Sequence, residues 1–335
     1  LANRHFAPAR VAMLGDSFTE GQGASARANR WPDRFRSQLR ARYPSDTVGS
    51  GGGAGYLAAG STTGAPSPSM SVWTPSGSVV LSQPWFGWAA EGAQLNGGSS
   101  LTATLTGTDI DVIYPTGSGQ TVSVVVDGGA PVTFGQGLGP TDGNAYRVSL
   151  GATGNHTVVI SPVAVDNIFI DGAIVYDGDT LAGITVIPLG HTGYPTANFI
   201  TLINGYAAGA IGPSDADLWI IELGLNDFGA AVAPATFQST LQSIISTVKG
   251  ITSGKVPSFV LMAPCDISGG TYPWSSYVDA MWAIAAADAN VCVYDGRRRI
   301  GSTGATPLFA ADNFHPSNRG YAFLADSLLD FLSAA

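Results

Sequence analysis

The sequence has few charged residues, and positive charge is the scarcer sign. Charged residues make up 12% of the 335 residues, with 15 Lys and Arg against 24 Asp and Glu, so the formal net charge is −9. Proteins that bind the phosphate backbone of nucleic acids, or an anionic membrane surface, usually carry an excess of positive charge. We therefore expect no nucleic-acid partner. The clustered Arg30, Arg34, Arg36 and Arg40 have helical spacing and are predicted to form a solvated helix face.

Cysteine and long apolar runs are also scarce. The only cysteines, Cys265 and Cys292, permit one disulfide or two reduced thiols, and the sequence leaves both alternatives open. No apolar run reaches the ~18–20 residues of a membrane-spanning helix. No cluster of residues resembles a zinc site. We therefore expect neither an integral membrane segment nor a bound metal.

The start of the chain lacks the charged residues and the apolar core of a signal peptide, so a secreted form would already have lost that peptide. Hydrophobic residues make up 45% of the sequence, and the small charged fraction indicates a surface of Ser, Thr, Asn and Gly. This composition suits an extracellular, cell-surface or virion-associated protein. The oligomeric state stays open.

Two kinds of strand pattern are present. Near residues 10–14, and again after residue 181, continuous apolar runs alternate with amphipathic helical patterns, which is typical of a parallel sheet covered by helices. Between about 70 and 180, short apolar runs are separated by Gly, Asn, Asp and Pro turns, which is typical of an antiparallel sandwich or barrel. The sequence therefore predicts an α/β domain at 1–70 and 181–335, interrupted by a jelly-roll-like β-sandwich domain at 71–180.

Polar residues and glycines follow the predicted strands of the α/β part. They are Ser17 in GDSFTEG, Gly193 in LGHTGYPT, Asn226 in IIELGLNDFG, and Asp312 with His315 in ADNFHPSNRG. Each motif alone is compatible with a turn or a helix cap, and Asp16 is assigned to the turn. The carboxyl ends of parallel strands meet at one edge of a sheet, so we expect Ser17 to lie within hydrogen-bond reach of His315.

These residue types are the parts that acyl transfer requires. A serine hydroxyl becomes a nucleophile when a neutral imidazole takes its proton, and a carboxylate holds that imidazole in one tautomer. Ser17, His315 and Asp312 provide these three groups. The tetrahedral intermediate carries an oxyanion that needs preorganised N–H donors. Our candidates are the backbone N–H groups of Ser17 and Gly193 and the side-chain amide of Asn226.

In their order and positions, the motifs resemble those of the SGNH (GDSL-type) hydrolases over residues 1–60 and 181–335. The resemblance implies a flavodoxin-like three-layer α/β/α fold and no metal or organic cofactor. It also implies Ser17 as nucleophile, His315 as base, Asp312 as its partner, and Gly193 and Asn226 as oxyanion donors.

Two features depart from a simple family pattern. The segment GGGAGY offers Gly53 as a reserve candidate for the family's glycine, although Gly193 is preferred because it directly precedes a predicted helix, as the family's glycine does. The inserted β-sandwich lies between the serine motif and the asparagine motif. Because of this insertion, the resemblance says little about the substrate.

The predicted function is a serine esterase that removes a short acyl group, acetyl first, from a carbohydrate or a cell-envelope glycan through an acyl-enzyme. Two alternatives stay open, namely a lipase or thioesterase for longer acyl chains, and a glycan-binding adhesin or phage-tail-like protein. Trp73, Trp85 and Trp88 near the start of the insertion have rings that suit sugar stacking, but packing is the favoured interpretation. His191 and Tyr194 flank Gly193, so they are candidates for contact with an acylated carbohydrate or small ester.

Overall fold

The computed structural model describes residues 4–45, 53–60, 71–81, 87–117, 119–138, 143–205, 208–252, 254–304 and 306–334. The strands within these ranges are β1 (Ala9–Gly15), β2 (Gly55–Ala58), β3 (Thr74–Ser76), β4 (Val79–Leu81), β5 (Ala93–Leu95), β6 (Ser100–Tyr114), β7 (Thr121–Val126), β8 (Val132–Gly135), β9 (Asn144–Pro162), β10 (Ile168–Ile170), β11 (Gly172–Tyr176), β12 (Ile184–Gly190), β13 (Leu218–Glu222), β14 (Ser258–Ala263) and β15 (Val291–Asp295). The helices are α1 (Ser17–Glu20), α2 (Trp31–Arg42), α3 (Thr196–Gly205), α4 (Leu225–Gly229), α5 (Pro234–Ile251), α6 (Trp274–Ala287), α7 (Arg297–Ile300) and α8 (Asn318–Ala334).

Five strands form a parallel sheet in the order β12-β1-β13-β14-β15. Numbered by their own succession along the chain, these strands are arranged 2-1-3-4-5, which is the flavodoxin-like order. Continuous apolar runs such as VAML in β1 and ITVIPL in β12 are buried on both faces of the sheet. The predicted class of the α/β part is therefore confirmed.

Helices cover both faces of this sheet. The first long helix, α2, packs against the last one, α8, whereas α3, α5 and α6 pack against one another in succession. Within α2, Pro32 occupies the first turn, where its missing N–H costs no hydrogen bond, and Trp31, Phe35 and Leu39 form the buried face. The sheet and its two helical layers provide a rigid base for the loops at the strand ends.

The inserted region contains two separate antiparallel sheets. The larger sheet has the order β2-β11-β6-β9-β7-β8, with β3 also paired to β6, and the smaller sheet has the order β10-β5-β4. Alternating apolar positions along β6 and β9 enter a hydrophobic core that is distinct from that of the parallel sheet. The predicted antiparallel β-rich insertion is confirmed.

The strand pairing bears on the position of the domain boundary. Strand β2 precedes residue 71, yet it pairs with β11 inside the larger antiparallel sheet. Its four-residue apolar run does not distinguish a parallel strand from an antiparallel one. The boundaries 1–70, 71–180 and 181–335 stay a prediction, and the pairing of β2 favours a first boundary before Gly55.

The predicted solvated face of basic residues is not observed. Arg30 is buried, and Arg34, Arg36 and Arg40 are partly buried. Arg27, Arg30 and Arg36 surround the carboxylate of Asp33, which is 3% exposed. Burial alone would raise the pKa of Asp33, but the three guanidinium groups hold it well below its usual range. Arg27 also donates to the carbonyl of Tyr56 at 2.9 Å, so the cluster connects α2 to strand β2.

Two remaining expectations concern membrane spans and cysteines. Within the described ranges, no helix combines the length and hydropathy that a membrane span requires. Cys265 and Cys292 are both free thiols, and Cys265 is buried.

Candidate active site

Ser17 lies at the carboxyl edge of the parallel sheet, directly after β1. Ser17 is the first residue of helix α1 and is 5% exposed. A Cβ atom at Gly15 would lie 2.1 Å from the Thr19 hydroxyl, so only glycine allows this helix to turn back so closely on the strand. The Asp16 carboxylate accepts a 3.0 Å hydrogen bond from the Phe18 N–H and caps the helix, as the sequence predicts.

Asp312 and His315 lie in one tight turn before α8. The Asp312 Oδ1 atom accepts hydrogen bonds from the backbone N–H groups of Phe314 and His315, both at 3.0 Å. Asn313 adopts φ +59°, a left-handed conformation that asparagine tolerates better than most residues. The turn places Asp312 Oδ2 2.7 Å from His315 Nδ1 and places His315 Nε2 2.9 Å from the Ser17 hydroxyl.

The hydrogen bonds of this turn determine the charge of Asp312 and the tautomer of His315. Burial would raise the pKa of Asp312, but hydrogen bonds from His315 and from two backbone N–H groups lower it below its usual value. The carboxylate is therefore ionised at neutral pH and accepts the Nδ1 proton of His315. The Nε2 atom is then the acceptor that faces the Ser17 hydroxyl, so the imidazole is set to take the serine proton.

The loop that contains Gly193 follows the strand next to β1. Gly190 pairs with Gly15, and the N–H of His191 donates to the Gly15 carbonyl at 3.0 Å. Gly193 is exposed and has φ +81°, and its N–H has no hydrogen-bond partner among the described residues. The reserve candidate Gly53 instead packs against the backbone of β11, where a Cβ atom would lie 2.3 Å from a carbonyl oxygen. This placement favours Gly193 as the oxyanion glycine.

The loop ends where α3 begins, and the carboxylate of Asp227 fixes that end. It accepts hydrogen bonds from the backbone N–H and the hydroxyl of Thr196, at 3.0 and 2.6 Å. Asp227 is fully buried, and it caps the N-terminus of α3.

Asn226 lies next to Asp16, which precedes Ser17, but its side-chain amide already has two hydrogen-bond partners. Its Nδ2 atom is 3.2 Å from Asp16 Oδ2 and 3.3 Å from the carbonyl oxygen of Tyr194. Both hydrogen bonds are long, so one N–H can turn from its partner to an oxyanion at small cost. The oxyanion role of Asn226 therefore requires this exchange and stays a prediction.

A second buried carboxyl lies beside Asp16. Glu222, at the end of β13, is fully buried and accepts a 3.0 Å hydrogen bond from the Thr19 hydroxyl. Burial raises the pKa of Glu222 well above its usual value, and the neighbouring Asp16 raises it further. Burial and the adjacent Asp16 carboxyl therefore both favour the protonated form of Glu222.

A strained turn in the inserted region contacts the loop that carries Gly193. Ala89 and Ala90 adopt φ +55° and +59°, a left-handed region that costs a residue with a Cβ atom on the order of 1–3 kcal/mol. The Ala89 carbonyl accepts a 3.0 Å hydrogen bond from His191 Nδ1, and the His191 ring lies 3.5 Å from that of Tyr194, measured between centroids. The antiparallel region thus supports the loop that carries Gly193.

The residues predicted to contact substrate differ in their exposure. His191 and Trp88 are 5% and 3% exposed, and Trp88 packs on Tyr56 with 4.9 Å between ring centroids, so burial favours a packing role for both. Trp73 is also buried. Tyr194 is partly exposed, and substrate contact there stays a prediction. Trp85 lies outside the described residues.

The buried His191 predicts a pH-dependent stability. Burial lowers its pKa from 6.5 to about 4, so between these values only the unfolded chain takes up the proton. The free energy of unfolding is therefore expected to fall by roughly 3 kcal/mol as the pH falls from 6.5 to 4. Urea unfolding of the wild type and His191→Asn over this range measures the effect. A wild-type slope that is unchanged in His191→Asn would assign the acid sensitivity to other groups.

Among the described residues, no group of three or more His, Cys, Asp or Glu side chains is arranged to hold a metal ion.

Comparison with known proteins agrees with the geometry. Residues 177–323 match the sequence model of the GDSL-like Lipase/Acylhydrolase family. This part of the chain is therefore similar to a GDSL-like lipase/acylhydrolase domain. The matched range contains Gly193, Asn226, Asp312 and His315, whereas Ser17 precedes it, and the antiparallel strands lie between Ser17 and the matched range in the sequence. The predicted resemblance to the SGNH (GDSL-type) hydrolases is thereby confirmed for residues 177–323. No curated protein is significantly similar to the sequence.

One solved structure shares the fold of this chain over nearly its whole length. A peptidoglycan O-acetylesterase is 18% identical, with a TM-score of 0.70, and the match covers 99% of this chain and 93% of that one. A family two carbohydrate esterase from Cellvibrio japonicus is 14% identical, with a TM-score of 0.35 and coverage of 78% and 98%. The 99% coverage means that the first likeness includes both the parallel sheet and the antiparallel insertion.

Proposed function

We propose that the protein is a serine esterase that hydrolyses short-chain acyl esters, acetyl esters above all, on a carbohydrate or a cell-envelope glycan. The observation that carries this proposal is the hydrogen-bonded series Ser17–His315–Asp312, with distances of 2.9 and 2.7 Å, at the strand ends of a GDSL-like acylhydrolase domain. The likeness of the whole fold to a peptidoglycan O-acetylesterase supports the choice of acetyl and glycan. We propose that the protein itself is extracellular, at the cell surface or associated with a virion.

The residues suit a two-step reaction. In the first step the Ser17 oxygen attacks the ester carbonyl carbon, and the serine proton moves to His315 Nε2. The N–H groups of Ser17 and Gly193 and the Asn226 amide stabilise the oxyanion. The bond to the alcohol then breaks, and His315 returns the proton to the leaving oxygen. In the second step His315 takes a proton from water as the water oxygen attacks the acyl-enzyme. The bond to Ser17 then breaks, His315 returns the proton to the Ser17 oxygen, and the carboxylic acid leaves.

A series of esters tests the proposal. We expect the wild type to hydrolyse p-nitrophenyl acetate with a higher kcat/KM than the butyrate and the octanoate, and to release acetate from O-acetylated peptidoglycan or acetylated xylan. The Ser17→Ala variant is the control for hydrolysis that does not depend on Ser17. A maximum at octanoate would favour the lipase or thioesterase alternative. An inert wild type that binds a polysaccharide would favour the adhesin or phage-tail-like alternative.

A further inference from the structure

Glu20 is a buried acidic residue that the proposed reaction does not use. It is the last residue of α1, the short helix that begins with Ser17, and it is 2% exposed. Its Oε2 atom accepts hydrogen bonds from the backbone N–H of Thr192 at 2.8 Å and from the Thr192 hydroxyl at 2.6 Å. Both contacts therefore hold the residue that directly precedes Gly193.

The packing around Glu20 makes α1 and the Gly193 loop one unit. A Cβ atom at Gly190 would lie 2.1 Å from the Glu20 backbone nitrogen, so the end of β12 touches the helix without space for a side chain. One helical turn thus carries Ser17 at its first residue and the anchor of the loop at its last residue. A shift of the loop relative to Ser17 would have to break the contacts between Glu20 and Thr192.

The Gly193 N–H needs such an external anchor. Gly193 has no side chain, is exposed and has φ +81°, so its own contacts do not fix its orientation. An oxyanion donor acts only if it is already oriented when charge develops on the substrate. Hydrogen bonds to a carboxylate are roughly twice as strong as neutral ones, and the shielding of Glu20 from water strengthens them further.

We propose that Glu20 is a positioning residue that acts through Thr192 to orient the Gly193 N–H toward the oxyanion formed at Ser17, a role that rests on the proposed esterase function. The carboxylate does not touch the substrate. Its contribution is the geometry of one hydrogen-bond donor.

Variants of both partners test this role. Glu20→Gln replaces the charged acceptor, Thr192→Val removes only the hydroxyl donor, and Thr192→Ser retains it. With p-nitrophenyl acetate, Glu20→Gln is expected to lower kcat by about 10–100-fold, and Thr192→Val by about 10-fold, because misplaced groups lose transition-state stabilisation. The KM is expected to stay within about threefold of the wild type because the ground state does not use this donor. Thr192→Ser is expected to resemble the wild type.

Inhibition by phenylboronic acid separates positioning from general loosening. The boron atom bonds to the Ser17 oxygen, and an oxygen of the tetrahedral adduct occupies the oxyanion position. Affinity for this probe is therefore expected to fall in Glu20→Gln and Thr192→Val by the same factors as kcat. Thr153→Val is the matched control, because it removes a hydroxyl–carboxylate contact of the same kind, with Asp177 at 2.8 Å, in the antiparallel region. We expect it to stay within about threefold of the wild type in kcat.

Three results would overturn the role of Glu20: a higher KM with unchanged kcat, unchanged phenylboronic acid affinity, or equal losses in Thr192→Val and Thr153→Val. If Glu20→Gln does not fold, the comparison of Thr192→Val with Thr192→Ser decides the question. An active wild type, an inactive Ser17→Ala and a fully active Thr192→Val would refute the positioning role alone. An inactive wild type, or an active Ser17→Ala, would refute the esterase proposal and this role together.

Discussion

Replacing Ser17 with alanine is expected to lower kcat for p-nitrophenyl acetate by about 10⁵-fold or more. Among the described residues, the Ser17 hydroxyl is the hydrogen-bond partner of His315 Nε2, at 2.9 Å, so its removal leaves the imidazole without a nucleophile to activate. Water does not replace it, because the alanine variant has no oxygen held in line with the substrate carbonyl. The fold is expected to survive, since the substitution removes one oxygen atom from a residue whose backbone is fixed by the α1 cap.

The measurement is steady-state hydrolysis, with thermal unfolding of the same preparations. Ser25→Ala is the matched control, because Ser25 lies on the segment that follows α1 and has no contact with His315 among the described residues. We expect it to retain the wild-type kcat. Hydrolysis that persists in Ser17→Ala would refute the nucleophile assignment, whatever the distances in the structure.

The position of Ser17 relative to His315 was predictable from sequence because it depends on topology rather than on packing detail. Residues 298 apart in the chain meet because one follows the first strand of a parallel sheet and the other precedes the last helix. Parallel strands bring their carboxyl ends to one edge, so motifs at strand ends predict a common site. The structure agrees with the expected distance, and the catalytic roles stay predictions.

The surroundings of Asp33 were not predictable in the same way. Helical spacing of the arginines of α2 shows which residues share a face, but it does not show what covers that face. Here the segment that leads into β2 covers part of it, and Arg36 donates to the Ala54 carbonyl while Arg40 donates to that of Gly53 at 2.7 Å. The partner element belongs to the antiparallel region, whose pairing depends on contacts distant in sequence.

The anchoring of the Gly193 loop was missed for a related reason. Thr192 and Glu20 are 172 residues apart, and although both lie within quoted motifs, the sequence assigns neither of them a role. The acidic residue of GDSFTEG is equally compatible with a solvent-exposed helix end, since an acidic side chain is usually exposed. Only the burial of Glu20 and its two contacts to Thr192 distinguish the anchor from such a residue.

Replacing Asp312 with asparagine is expected to lower kcat by about 10³–10⁴-fold while the KM and the thermal stability change little. Asparagine is nearly isosteric, and its oxygen can still accept the hydrogen bonds from Phe314 and His315 that hold the turn. Its NH₂ group, however, replaces the Oδ2 atom that accepts the proton of His315 Nδ1 at 2.7 Å. Two donors would then face each other, so the imidazole is expected to adopt the other tautomer, with its proton on Nε2 directed at Ser17. In that state it cannot accept the serine proton.

The chain provides a matched control for this substitution. In the antiparallel region, Asp127 Oδ2 also lies 2.7 Å from a histidine Nδ1 atom, that of His156, but the Nε2 atom of His156 bonds to the Ala152 carbonyl instead of a serine. Asp127→Asn therefore breaks the same kind of contact away from Ser17, and we expect the wild-type kcat. A loss of less than about tenfold in Asp312→Asn would mean that His315 acts without its carboxylate, because orientation by that partner typically accounts for a far larger factor. Equal losses in both variants would instead show that Asp–His pairs affect activity through the stability of the fold. Only a large loss confined to Asp312→Asn supports the predicted role of this carboxylate, which is to fix the proton on the side of His315 away from Ser17.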